Sequence, residues 1–309
     1  MLSRVAENLF WVGRNVQRSS NICRLLDATY QVQLGEVAKT DVKLAKGPTL
    51  APVLRILSIE QSGRTSLQKQ LSRLTFGRAE DHTIATLLNQ AKENTRASQN
   101  VIGGEPFAQL NRLTHAIGSK KMRLRFRESP SMVLSQIERG CLLFFAMVDH
   151  GQPRSSPWHF MNLGRQIESI GMLARILYEG LVSPQLKQKN PGFAHWAWLL
   201  NSCAARDTYM SQHPEGFLPE NLIEQLLLSS DFPHSIRFGV IQARQSLEAI
   251  AQYAGSDRSK NAERLIGRLD GHLKYSDSDE VIDTGLDSLL GEIQWTCDQI
   301  SEQLYNSYF

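Results

Sequence analysis

The chain has 309 residues, 34 basic and 31 acidic, for a net charge of +3. That length builds a sizeable core without covalent staples, and so slight a charge gives no global field favouring nucleic acid or an anionic membrane. Four cysteines, Cys23, Cys141, Cys203 and Cys297, lie far apart with no CxxC pair, which points to buried, reduced thiols. The opening MLSRVAENLFWVGR breaks its apolar residues with charges, unlike a signal peptide. No run reaches the uninterrupted apolar length of a membrane span. A cytoplasmic protein is expected.

In chain order, periodicity near 3.6 predicts long helices over 3–34, 82–102, 130–150, 157–182, 191–212, 219–229, 234–254, 259–275 and 278–306, with shorter ones over 50–60 and 105–118. Ser129-Pro130, Ser156-Pro157 and Asn190-Pro191 each pair an N-cap side chain with proline at the first helical position, and Pro219 and Pro233 mark two more starts. Loops are expected over 35–49, 60–66, 75–81, 119–129, 151–156, 183–190 and 213–218. One short alternating run, Met122 to Arg127, is the exception to the helical pattern. The expected class is all-α, a bundle of about ten helices in one domain, 1–309.

The first helix matches a later one at a spacing of 151. VGRNVQRSSNICRLL (12–26) falls on LGRQIESIGMLARIL (163–177), so that Gly13 meets Gly164, Arg14 meets Arg165, Arg24 meets Arg175 and Leu26 meets Leu177. Both apolar seams step alternately by four and three, the spacing of knobs-into-holes packing. The expectation is two related halves, about 1–150 and 151–309, around a pseudo-twofold axis.

Polar residues flank those seams. Arg14, Gln17, Arg18 and Asn21 come from the first copy, and Arg165, Glu168 and Arg175 from the second. If the helices face each other, Glu168 has Arg14, Arg18 or Arg165 as partners, and the specific expectation is that Arg18 and Glu168 meet across the bundle. Such a network is costly unless fully paired, and arginine's rigid fork suits it. Two readings stand: a brace between helices, or a pocket for an anionic or peptide ligand. Glu93, Asn94 and Arg96 of the 82–102 helix either reach the same centre or form a solvated surface pair.

Other chemistry is sparse. There is no P-loop, dinucleotide-binding turn or HExxH, and no Glu-x-x-His for a di-iron site. No metal or cofactor is expected. Asp231-x-x-His234 reads as a helix cap, and His195 beside Trp196 and Trp198 as a packed aromatic. Ser202, Cys203 and Tyr209 share a helix without an obvious base. KKMRLRFRE (120–128) reads as a connector with a solvated cationic face; as an interaction patch it suits an acidic protein surface better than nucleic acid, for which it lacks stacking aromatics. The balance leans against catalysis and leaves homo-oligomerisation open.

Several segments in order resemble the bacterial alpha-E domain family: MLSRVAENLFWVGRNVQRSSNICRLLD at the start, LLNQAKENTRASQ (87–99), WHFMNLGRQIESIGMLARIL (158–177), FLPENLIEQLLLSSDFPHSIRF (217–238) and RLIGRLDGHLKY (264–275). The resemblance implies an all-helical protein with two Glu-Arg motifs. Here they read Gln17-Arg18 and Glu168-Ser169, each keeping one half, and His234 stands where the family pattern has arginine. The family context implies as partners a circularly permuted ATP-grasp protein, a transglutaminase-like protein, or both, in systems that make or modify peptides. The expected role is a non-catalytic helical partner of an ATP-grasp peptide ligase; an enzyme or ligand-binding protein using the Arg/Glu centre is the alternative.

Overall fold

A computed structural model describes residues 3–37, 50–60, 65–78, 82–183, 192–254 and 260–309. Every regular element among them is helical. The first eight α-helices are α1 (Ser3–Val37), α2 (Ala51–Ile56), α3 (Leu67–Phe76), α4 (Ile84–Ala97), α5 (Gln99–Ile102), α6 (Gly104–Gly118), α7 (Lys120–Glu128) and α8 (Pro130–Gly151). Then follow α9 (Ser156–Leu177), α10 (Phe193–Ser202), α11 (Arg206–Gln212), α12 (Pro219–Ile223), α13 (Ile236–Ala254), α14 (Lys260–Tyr275), α15 (Ser278–Thr284) and α16 (Leu286–Tyr308). Two π-helical turns, Tyr178–Val182 and Glu224–Leu228, extend α9 and α12.

The architecture is two rings of four helices sharing a wall. In one ring α1 packs on α4 and α8, and α6 closes it by touching both. In the other α9 packs on α13 and α16, and α14 closes it. The rings join along α1 and α9. These two run in the same direction, since Gly13 lies against Met161 and Arg165, Gly164 lies against Phe10, and Arg18 reaches Glu168. Each is covered on nearly every side: Leu9, Val12, Val16, Leu25 and Leu26 are buried in α1, and Phe160, Leu163, Ile167, Ile170 and Leu177 in α9. Two of the hydroxyls that this placement also buries are satisfied within the helix. Ser19 Oγ donates to the Asn15 carbonyl at 2.8 Å, and Thr29 Oγ1 donates to that of Leu25 at 2.8 Å.

The count of about ten helices is corrected to sixteen among the described residues. Several expected long helices are broken by single residues. Ala204 at φ 51° separates α10 from α11, and Gly285 at φ 115° separates α15 from α16. Such left-handed backbone ends an α-helix. The loop expected over 119–129 is also corrected, because it folds as α7. Ser119 Oγ accepts from the Met122 N–H at 3.2 Å, a cap at the helix start. Met122 and Phe126, one turn apart, are buried, while Leu124 between them is exposed, so the operative period is four rather than two. Helix α3 fell between the predicted elements, and Leu71, Leu74 and Phe76 bury it in the first ring.

Pro130 and Pro219 open their helices, and Pro157 sits in the first turn of α9. Pro233 lies in the preceding turn, and Ser235 caps α13 by accepting from the Phe238 N–H at 3.0 Å. Asp231 is therefore not that cap; it accepts from Ser229 Oγ at 2.6 Å. The Asn190-Pro191 start lies outside the described residues, as do 38–49, 61–64, 79–81 and 184–190 of the loops expected over 35–49, 60–66, 75–81 and 183–190; residues 35–37 and 75–76 of those loops are instead the last turns of α1 and α3.

Candidate functional site at the crossing of the two central helices

Gly13 and Gly164 let α1 and α9 approach until only main chain separates them. One turn further on, the side chains that leave this contact are charged. Glu168 is 1% exposed and is gripped from two positions on α1. Arg18 forms a bidentate pair with it, Nε to Oε1 at 2.6 Å and Nη2 to Oε2 at 2.9 Å. Arg14 adds Nε and Nη2, each 3.1 Å from Oε2. The expected meeting of Arg18 and Glu168 is thus observed.

Helix α16 completes the shell. Arg14 Nη1 donates to Ser301 Oγ at 3.3 Å, and that hydroxyl donates to the Cys297 carbonyl at 2.8 Å. The Arg14 guanidinium also lies 5.2 Å from the Trp11 ring and 5.8 Å from that of Phe10, a cation–π setting that fixes its direction. Burial alone would push the Glu168 carboxyl up. The Arg14 and Arg18 charges, with the Arg18 hydrogen bonds and the more distant Arg175, overcome it and hold the pKa at about 2. Arg175 stands two turns beyond Glu168 on α9, where burial lowers its pKa against the pull of Glu168, and its Nε is buried without a hydrogen-bond partner.

The remaining candidates go elsewhere. Arg165 does not join Glu168. It turns to α8, where Nη1 donates to Asp149 Oδ2 at 3.2 Å and the guanidinium lies 4.2 Å from the Phe145 ring. Asp149 also accepts from Trp158 Nε1 at 3.1 Å and pairs with Arg154. Gln17 and Asn21 satisfy each other, Nε2 to Oδ1 at 3.0 Å, in a buried position. Glu93 pairs with Arg96 at 2.9 Å and Lys92 at 3.2 Å on the exposed side of α4, the solvated arrangement rather than the central one. Asn94 lines a surface groove of about 870 Å³ with Trp11 and Asn15.

Sequence reasoning did not find Asp149, Ser301 or the Arg24–Glu138 pair at 2.8 Å. Only Arg24 carried a signal, its match with Arg175 at the 151-residue spacing. His195 packs between Trp196 and Trp198, and its Nε2 lies 2.8 Å from the Gly180 carbonyl in the first π turn. A second clasp at that turn joins Arg55 of α2 to Glu179.

Cys203 is buried, and its thiol is pushed up to about 12 by that burial. Tyr209 Oη donates to the Gly216 carbonyl at 3.2 Å and accepts from the Leu218 N–H at 3.1 Å, so it clips a loop. Among the described residues no three His, Cys, Asp or Glu side chains are grouped to hold a metal ion.

A family model for a predicted alpha-helical domain with a conserved ER motif matches residues 1–309. No curated protein and no solved structure matches the chain.

Proposed function

The chain belongs to the Alpha-E family, and on that premise we propose that it is a non-catalytic helical partner of an ATP-grasp peptide-ligase system in a bacterial cytoplasm. One observation carries this reading. Glu168, the one carboxylate at the helix crossing, receives four N–H donors from Arg14 and Arg18 and is held ionised, with a pKa of about 2. A carboxylate with both oxygens engaged and so low a pKa is a poor proton acceptor near neutrality, and a good device for fixing the register of two helices. The four buried thiols agree with it, since nucleophilic cysteines need exposure and a lowered pKa.

The experiment is co-expression with a circularly permuted ATP-grasp protein encoded beside it, followed by gel filtration and a ligase assay. Co-elution with altered turnover is expected. Separate elution at tens of micromolar with unchanged turnover removes the proposal.

We propose further that the halves, about 1–150 and 151–309, arose by duplication of one four-helix unit. The rings correspond in order, α1, α4, α6 and α8 with α9, α13, α14 and α16, and the contacts of Gly13 and Gly164 are reciprocal at the 151-residue spacing. On this reading one motif contributes its arginine and the other its glutamate, and the two rebuild across α1 and α9 the pair that neither copy keeps.

One observation favours the alternative of an anion-binding centre: Arg14, Arg18 and Arg175 surround a single carboxylate, and Arg175 Nε lacks a partner. A phosphate-dependent rise in Tm that Arg175→Gln abolishes is the result that would support it.

A further inference from the structure

Helix α7 carries Lys120, Lys121, Arg123, Arg125 and Arg127 against one carboxylate, Glu128. Its inward turn-spaced pair, Met122 and Phe126, leaves all five cations on the outside. Arg123 is engaged, 5.0 Å from the Phe76 ring with Nη2 on the Phe76 carbonyl at 3.4 Å. Among the described residues no carboxylate lies within 4.0 Å of the other four, or of Arg139 on α8.

Arg125 and Arg139, two cations against the single carboxylate of Glu128, line a groove of about 810 Å³ between α1, α7 and α8. Its apolar side is formed by Tyr30, Leu34 and Met132, with Leu34 48% and Met132 57% exposed. Arg125 is poised over the groove by contacts to Gln136 Oε1 at 3.5 Å and Met132 Sδ at 3.4 Å. Beyond Arg139, α8 also exposes Leu142 and Leu143. By length and composition α8 could cross a membrane, yet its outer side carries Arg139 and its inner side packs in the first ring.

From this pairing of unmatched cations with an apolar floor we infer that the groove docks an acidic amphipathic helix of a partner protein. Its apolar stripe lies on Tyr30, Leu34 and Met132, and its carboxylates meet Arg125 and Arg139. This is the helix-in-groove mode, with charge complementarity setting encounter and register. A lipid surface fits less well, because the site is concave and its rim presents the hydroxyls of Ser131 and Ser135. The inference rests on the partner-protein reading and names the surface that reading requires.

The test uses the full chain and a fluorescein-labelled peptide of about 16 residues, with glutamate and leucine on opposite helical faces. Fluorescence anisotropy should give micromolar binding that weakens as salt rises from about 50 to about 200 mM. A scrambled peptide of equal composition should bind at least about tenfold more weakly. R125E/R139E should lose at least about tenfold without a change in Tm, and the matched control R268E/K274E on α14 should stay within about twofold. Equal binding by both double variants, or sedimentation with phosphatidylserine vesicles without peptide binding, overturns the inference. Co-elution with the ATP-grasp partner that survives R125E/R139E removes the groove and leaves the partner reading intact. Peptide binding without any ATP-grasp complex does the reverse.

Discussion

Gly13 and Gly164 meet the opposite main chain at one crossing: a Cβ on Gly13 would lie 2.0 Å from the Met161 carbonyl oxygen, and one on Gly164 would lie 2.1 Å from that of Phe10. Neither obstacle is the tip of a flexible side chain, so a methyl group forces the helices apart. Gly13→Ala and Gly164→Ala should each cost roughly 3 kcal/mol or more. Gly35→Ala, on the same helix with nothing within 4 Å, should gain up to about 1 kcal/mol. Denaturant midpoints of the three variants check this, and an unchanged midpoint for Gly13→Ala contradicts the close crossing.

Glu168→Gln leaves two guanidiniums facing a neutral amide. The cost should be about 3 kcal/mol near neutral pH, at the low end for a broken buried pair because both arginines keep a solvent-facing edge. The folded carboxyl titrates at about 2 against an ordinary 4.5. Its contribution is therefore full above about pH 4.5 and is lost as pH falls towards 2. Chemical melts across that range should show the wild type converging on the variant. Parallel curves would mean that the carboxylate is not paired as described.

The duplication reading predicts a second pair that can be restored. At the 151-residue spacing Gln17 corresponds to Glu168, and Ser169 to Arg18. In a double-mutant cycle Gln17→Glu and Ser169→Arg should couple favourably by about 1–3 kcal/mol, with Arg165 released from Asp149 to assist. Strict additivity would count against the twofold relation at this position.

His234 is held low, to about 4, by burial and by the cations Arg24 and Arg165. Below its ordinary 6.5 the unfolded chain takes up a proton that the folded chain refuses, so stability falls as pH drops from about 6.5 towards 4. His234→Gln should flatten that part of the profile. Direct NMR titration of the imidazole should place its midpoint near 4, and a midpoint at the ordinary value rejects the assignment.

All four thiols are buried and pushed up by burial, those of Cys203 and Cys297 to about 12. Ellman's reagent should find none of them in the native protein and all of them in guanidinium chloride. Rapid labelling of a native thiol would expose an opening not described above.

The central pair of helices was legible because packing and sequence share a rhythm there. The four–three seam in 12–26 and 163–177 names the buried faces, and the leftover arginines and glutamate had to meet something. The partner of Arg165 was not legible. It sits three residues before Glu168 on the same helix, and only the tertiary approach of α8 brings Asp149 to it. Residues 122–127 were misread because a short alternating run satisfies periods of two and four alike, and burial of Met122 and Phe126 alone decides between them. The break at Ala204 had no composition signal, since alanine ordinarily continues a helix.

The hydrogen bond from Arg14 to Ser301 joins residues 287 positions apart. Since α1 is covered by α9 and α16 as well as by its own ring, it is synthesised long before its last neighbours exist. At ribosomal speeds the wait is roughly 15–60 s; its own ring of α4, α6 and α8 emerges early in that time, but the side that takes α9 and α16 stays bare until the second ring is made. The same burial that makes α1 the axis of the finished fold leaves one side of it open to chaperones on the ribosome until its last neighbours arrive.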